Sequence, residues 1–483
     1  MQRQGLIAGT TYLLIAQAVF ILSGYAIHVG LGRFLGPSDY GVYSVVIYVA
    51  TVFNLILTTG LPYAASKFIS EDERRSLSVM KTSLNLSVIL GIAIFSMIFL
   101  GADRIASALN DPTLAPYIQL VSVMVPIYAL HSVIAGYYNG LRNYKIQAFL
   151  LLLYDISKPI MIFLLVFLGF SEWGAVLGFA LGPLLPMVMG FYFMGLQTFW
   201  AEAFPYKKLL KFAVPIIVFA VAINLIMSLD LFFVKRILMD NEQAGFYSAA
   251  SMIAKVPYSL LAALTAALFP AISASMNDRE KTREYISESI RYTLLLLVPL
   301  TFIVAASSGG LVTLIYSSVY KPAGEPLSIL IVGVSFFALF SVLTTVISGS
   351  GKPGTSMLLS LMILVADLVS NQILVPLWGM HGAALSTGVS SAIGLLMAAF
   401  CVYRQHGVLT SASSTAKILL ASSLLFVAIS YINPGGLLLI LVYILAGVLY
   451  LAMLYLLKEI KPRDMARFGR LLKRFRRHTD GAA

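Results

Sequence analysis

Five ionisable side chains stand inside long apolar runs of this 483-residue sequence, and their type and placement could do chemistry: Asp155, Lys158, Asp230, Lys255 and Asp367. A charge at the middle of a bilayer costs about 2.5–3.5 kcal/mol on insertion scales, so each calls for a partner, a cavity or a function. Lys158 and Lys255 are cations in a low-dielectric setting, which attract an anion strongly. Lys255 has no acidic residue within a helical turn, whereas Asp155 and Lys158, three residues apart, could equally neutralise each other on one helix face. Asn371 lies one turn beyond Asp367, and Asp155 and Asp367 occupy similar places in the two halves of the chain. Asp155, Asp230, Asp367 and Asn371 are candidates for a proton or sodium site whose occupancy biases conformation. A structural hydrogen bond or salt bridge is the competing reading.

The remaining chemistry-bearing residues form no catalytic constellation. His28, His131 and His381 are isolated in apolar surroundings without metal-ligand spacing and read as packed or interfacial. Cys401 is the single cysteine, which excludes disulfide frameworks and cysteine-based metal sites. No P-loop is present, so this chain is expected not to hydrolyse ATP and not to be an enzyme; it needs no cofactor or metal, and a proton or sodium gradient is the candidate energy source. Tyr137, Tyr138 and Asn139 are the densest polar-aromatic cluster, and their place near a helix end assigns them to the interfacial belt.

The elements that must position these residues are membrane helices. Hydrophobic residues make up 59% of the chain and charged ones 11%, and the mean hydropathy is +0.90, where soluble domains run nearer about 25% charged. A hydrocarbon core about 30 Å thick needs about 20 apolar residues per helix, and the sequence accommodates about fourteen. The runs place spans at about 6 to 30, 40 to 66, 80 to 101, 116 to 140, 146 to 168, 173 to 195, 212 to 234, 244 to 274, 289 to 308, 325 to 348, 355 to 377, 380 to 402, 414 to 432 and 435 to 457. The first is too long for a signal peptide and reads as a retained helix. Pro126, Pro159, Pro215, Pro257 and Pro299 interrupt spans and supply bends.

The net charge is +12, and nine of the 33 Lys and Arg fall between Lys458 and Arg477. Beyond the last helix, such a tail reads as a cytoplasmic segment facing anionic lipids rather than nucleic acid. Met465, Phe468, Leu471, Leu472 and Phe475 give it an amphipathic helical spacing. With both termini cytoplasmic, about 26 Lys and Arg lie on that side and about five (Arg33, Arg104, Lys235, Arg236 and Lys321) on the other.

Segments recur at an offset near 204 to 212. Tyr40-Gly41-Val42-Tyr43-Ser44 answers to Ala244-Gly245-Phe246-Tyr247-Ser248, and Trp173-Gly174-Ala175 to His381-Gly382-Ala383. The chain therefore divides into a six-helix lobe at 1–200, a second at 201–408, two extra helices at 409–457 and the tail at 458–483. The fold class is all-α: a polytopic membrane protein with two pseudo-symmetric lobes inserted the same way up.

The first connection reads Leu31-Gly32-Arg33-Phe34-Leu35-Gly36-Pro37-Ser38-Asp39-Tyr40-Gly41-Val42-Tyr43-Ser44. It resembles the polysaccharide transporter and oligosaccharide flippase family, whose superfamily also holds multidrug and toxin extrusion pumps and lipid II flippases. Gly36-Pro37 ends one helix, and Ser38 or Asp39 caps the next. The resemblance implies translocation of a polyprenyl-linked oligosaccharide across the cytoplasmic membrane, and the protein is expected to be a monomer. Lys158, Lys255, Arg33 and Arg236 are then candidates to hold the carrier's phosphate or diphosphate. Interfacial pairing is the other role open to Arg33 and Asp39. An extrusion pump usually has twelve helices, and the first span here lacks a carboxylate. A lipid II flippase typically begins arginine-rich, and this chain has only Arg3 before the first span. Those two remain the alternatives.

Overall fold

Inside a bilayer every backbone N–H and C=O must find its partner within the protein, and the helix is the local solution. The computed structural model describes residues 6–460 except 277 and 433, without the side chains of 6–8, 10, 262–264, 266 and 267. Helices follow one another throughout, with no strand among the described residues. Among the described residues, ten helical stretches are long and apolar enough to cross a membrane. Three of them, Thr11–Glu71, Tyr144–Met194 and Pro353–His406, have 61, 51 and 54 residues. At about 1.5 Å per residue each is long enough to cross twice. With the eighth span, formed by the helices Asn241–Ala254 and Val256–Ser275, fourteen spans result. The protein is a multi-pass, all-α membrane protein.

Each double stretch breaks at a glycine with positive φ. Gly36 (φ 77°), Gly169 (φ 92°) and Gly379 (φ 55°) interrupt the helical dihedrals where a side chain would be strained. The prolines divide into two groups. Pro126 and Pro257 stand in the first turn after breaks at Val123 and Lys255, where a missing N–H costs nothing. Pro159, Pro215 and Pro299 lie inside continuous helices. The second span also runs further than its apolar run suggests, through Gly60–Glu71.

The chain forms two units. The first holds Met1–Ile253, Ile315–Pro326 and Ser360–Ser390; the second holds Ala254–Leu314, Leu327–Leu359 and Ser391–Ala483. In the first unit, Leu61, Ala65, Ile69, Val133, Leu150 and Leu209 belong to one buried cluster. Tyr137 and Tyr138 are buried in that cluster as well, so the aromatic-belt assignment is corrected: their rings pack in the core. Gly136 allows its helix to approach the Pro62 carbonyl, where an added Cβ would stand 2.6 Å from the oxygen. In the second unit, Ile303, Ile418, Leu425, Ile429 and Tyr450 join the ninth, thirteenth and fourteenth spans. Arg291 donates to Glu459 at 2.6 Å nearby, closing the end of the fourteenth span onto the ninth.

Two segments that match in sequence meet inside the first unit. A Cβ on Gly41 would fall 1.9 Å from the Asn241 carbonyl oxygen, and one on Gly245 1.9 Å from that of Pro37. Each glycine thus lies on the backbone four residues before the other. Ser248 Oγ donates to Ser44 Oγ at 2.8 Å, so residues 204 apart touch directly. This reciprocity is what a two-fold relation produces.

Candidate functional site

The candidate residues fall in separate places. In the first unit the helix Tyr144–Leu165 carries Asp155 and Lys158, both buried. Lys158 is 5% exposed and makes no ion pair among the described residues. Its ammonium stands 4.6 Å from the ring centroid of Tyr154, 5.7 Å from Phe179 and 5.8 Å from Phe20. These separations suit cation–π attraction, which partly replaces lost hydration. Asp155 Oδ1 has no hydrogen-bond partner among the described residues. No direct ion pair joins the two among the described residues, although the charge of each acts on the other. The cage continues into other rings: Tyr154 packs against Tyr128 and His131, and Phe179 against Tyr43. His131 is thus a packed histidine.

A second cluster gathers carboxylates. Asp230 begins the helix Leu229–Leu238, and its Oδ1 accepts the Leu231 N–H at 2.8 Å. Its Oδ2 accepts the Tyr247 hydroxyl at 2.6 Å and that of Thr387 at 3.5 Å. Asp367, 0% exposed, accepts Ser390 Oγ at 3.0 Å on Oδ1, and the Asp230 charge bears on it. Asp367 Oδ2 and Asn371 Oδ1 have no hydrogen-bond partner among the described residues, although Asn371 Nδ2 donates to the Asp367 carbonyl at 2.9 Å. The structure thus brings Asp230, Asp367 and Asn371 together and adds Tyr247, Thr387 and Ser390. Two carboxylates, an amide oxygen and hydroxyls form an oxygen-rich setting suited to a proton or a hard monovalent cation. The added hydroxyls carry no sequence signal, being common residue types 17, 157 and 23 positions from their carboxylates.

Arg33 and Arg236 lie near the connections between spans. Arg33 Nε donates to the Ile315 carbonyl at 2.7 Å. Arg236 is exposed, without an ion pair among the described residues, and borders an apolar cavity of about 380 Å³ lined by Phe53, Leu109, Phe232, Phe233 and Leu368. The neighbouring Lys235, 1% exposed, is bound to Asp111 at 2.5 Å and also to Asn241. Burial pushes the Asp111 carboxyl up, yet hydrogen bonds from Lys235 and Thr113, with the Lys235 charge, hold it below the usual carboxylate range. Asn110 Nδ2 donates to the Arg236 carbonyl at 2.7 Å, so two connections are tied at this end. Tyr40, Tyr43, Tyr316 and Tyr320 fill the space beside them, and Tyr320 donates to the Gly32 carbonyl at 3.0 Å. Sequence reasoning missed the Lys235–Asp111 pair because 124 residues separate its partners.

Lys255 belongs to the second unit and is half-buried at the break between Asn241–Ala254 and Val256–Ser275. It occupies the N-cap position of the second of these helices, where the eighth span breaks, without a side-chain capping hydrogen bond. The basic tail from 461 onward lies outside the described residues.

Known proteins share this architecture. The chain is 22% identical to the succinoglycan biosynthesis transport protein ExoT of Rhizobium meliloti over 67% of its own length and 65% of that relative, just under two thirds of it. It is 22% identical to a putative O-antigen transporter of Shigella flexneri, covering 80% of this chain and 96% of the relative. Its fold matches a lipid II flippase MurJ in an inward closed conformation, with a TM-score of 0.76 at 15% identity over 92% of this chain and 98% of that one. The pattern of the family described as "Polysaccharide biosynthesis protein" matches residues 31–325. That match spans more than half of the sequence and includes the first connection, and the chain belongs to this polysaccharide biosynthesis family.

Proposed function

We propose that the protein is a flippase that carries a polyprenyl phosphate- or diphosphate-linked oligosaccharide across the cytoplasmic membrane. The observation that carries this reading is Lys158, a buried cation in a membrane span with aromatic rings around it and no ion pair among the described residues. A cation in low dielectric favours a phosphate, and ring faces suit the apolar faces of sugars. The names of two relatives, a succinoglycan biosynthesis transport protein and a putative O-antigen transporter, support a saccharide cargo. Lys255, Arg33 and Arg236 complete the candidate set, and the apolar cavity beside Arg236 suits an isoprenoid chain below its phosphate.

Transport proceeds by alternating access of two six-helix lobes, 1–200 and 201–408, with 409–457 as an added pair. The reciprocal Gly41 and Gly245 contacts support that duplication. Both termini are cytoplasmic, the tied connections at Lys235 face outward, and the tail meets anionic lipids. The cluster of Asp230, Asp367 and Asn371 takes a proton or sodium ion, which balances the two carboxylates and biases the inward against the outward state. Asp155 is the corresponding candidate beside Lys158. The protein acts as a monomer and performs no covalent chemistry on its cargo.

A cell dependent on this gene for surface polysaccharide tests the reading. Lys158→Ala and Lys255→Ala, expressed and inserted as the parent, are expected to lose export. Parental polysaccharide from both variants would remove these lysines from headgroup binding.

A further inference from the structure

The second unit carries a group of cations that transport, as proposed above, does not use. Arg279 and Arg283 begin the helix Arg279–Ala306, Lys352 is the N-cap of the helical stretch Pro353–His406, and Arg404 lies in that stretch's last turn. All four are exposed, and none makes an ion pair among the described residues. Glu280 and Glu284, on the same helix as the two arginines, make none either. A positive-inside excess would scatter such charges over solvated connections. Here they are gathered by a buried scaffold.

His406 is that scaffold. It is buried, its Nε2 lies 3.0 Å from Ser350 Oγ, and its carbonyl accepts Arg283 Nε at 2.6 Å. The start of the ninth span, the connection between the tenth and eleventh, and the end of the twelfth are thereby held together. Gly407, with φ 69°, follows at once, and a Cβ there would stand 2.8 Å from an Arg283 guanidinium nitrogen. The backbone itself is thus shaped around the arginine.

Between these elements is a cavity of about 320 Å³ lined by Ile347, Lys352, Thr355, Cys401, Arg404 and Gln405. Its polar wall offers two cations, a hydroxyl and an amide, and the dipole at the start of the Pro353 helix adds positive potential. Phe400 also borders the cavity and is 62% exposed. Leu396, one turn earlier, is 70% exposed, so an apolar stripe leads along the helix to the basic wall. A ligand that fits must join an anionic head to an apolar body.

We propose that this pocket binds the phosphate headgroup of an anionic phospholipid of the leaflet at this end, cytoplasmic on the orientation given above. The phosphate lies between Lys352 and Arg404, Thr355 and Gln405 donate to its oxygens, and the acyl chains lie along Phe400 and Leu396. Arg279 and Arg283 supply the surrounding field.

Cys401, the sole cysteine of the chain, reports on the site without any substitution. The full-length protein in detergent is titrated with dioleoylphosphatidylglycerol, dioleoylphosphatidylcholine or inorganic phosphate, and the rate of Cys401 alkylation is followed. Phosphatidylglycerol is expected to slow alkylation while phosphatidylcholine and free phosphate do not. Equal protection by phosphatidylcholine, or full protection by inorganic phosphate alone, overturns the proposal. Binding of phosphatidylglycerol measured by native mass spectrometry should weaken about thirtyfold in the Lys352→Gln, Arg404→Gln double variant, from about 1 kcal/mol for each basic residue. The Lys207→Gln, Lys208→Gln variant removes the same charge elsewhere and should bind as the parent. Equal losses in the two variants would show general charge attraction and no pocket.

Discussion

Asp155 and Asp367 stand 212 residues apart at matching places in the two halves of the sequence, yet their surroundings differ in sign. Each is a buried carboxylate with one oxygen unpartnered. Beside Asp155 stands Lys158 among rings; beside Asp367 stand Asp230, Asn371 and hydroxyl donors. The first setting retains a cation for an anionic cargo, and the second accumulates negative charge that a small cation relieves. One repeated position thus serves opposite electrostatic tasks in the mechanism proposed here.

The comparison breaks most readily at Lys158. Lys158→Ala should lower apparent affinity for the lipid-linked sugar by about 2–5 kcal/mol, the range for losing one partner of a buried charged contact. Lys158→Arg should recover part of it, because charge is restored with a different shape. Binding of labelled substrate to purified protein measures both, and an unchanged affinity in the alanine variant would break the first half of the comparison.

Asp367→Asn tests the other half. Transport by this variant should lose its dependence on a proton or sodium gradient, a coupling expected to be worth about 5–150-fold. Asp155→Asn should keep that dependence. Imposed gradients in vesicles distinguish them, and identical behaviour would merge the two settings into one.

A smaller effect is expected where the matched segments touch. Gly41→Ala and Gly245→Ala each drive a methyl into a carbonyl, and overpacking of this kind costs about 1–3 kcal/mol. Thermal unfolding in detergent should show similar losses for both, because the contacts are reciprocal. A large loss in only one would deny the symmetry.

The smallest effect concerns acid. The depressed Asp111 carboxyl contributes stability above its unfolded pKa of about 3.9, and that contribution is lost as pH falls through the lower folded value. Unfolding temperatures of parent and Asp111→Asn should differ by a constant amount from pH 8 to 5 and converge in stronger acid. A difference that vanishes near neutrality would contradict the pairing with Lys235.

Much of the fold was legible because bilayer thickness and glycine chemistry act locally. The apolar runs mark the spans, and the breaks at Gly36, Gly169 and Gly379 coincide with turn residues visible in the chain. What escaped depends on distant partners. Lys235 meets Asp111, and Thr387 meets Asp230, across more than 120 residues that no periodicity connects. Tyr138 reads as an interface residue by its position near a helix end, but packing around Ile69 and Val133 places it in the core. The charged candidates were visible as costly residues; their neighbours were ordinary hydroxyls and rings.

Proteoliposomes holding the purified protein and a fluorescent polyprenyl-diphospho-oligosaccharide test the central claim most directly, with accessibility of the sugar to an external lectin as readout. Protein-dependent translocation is expected, lost with Lys158→Ala and stripped of its gradient response with Asp367→Asn. Equal translocation by parent, Lys158→Ala and empty liposomes would contradict it.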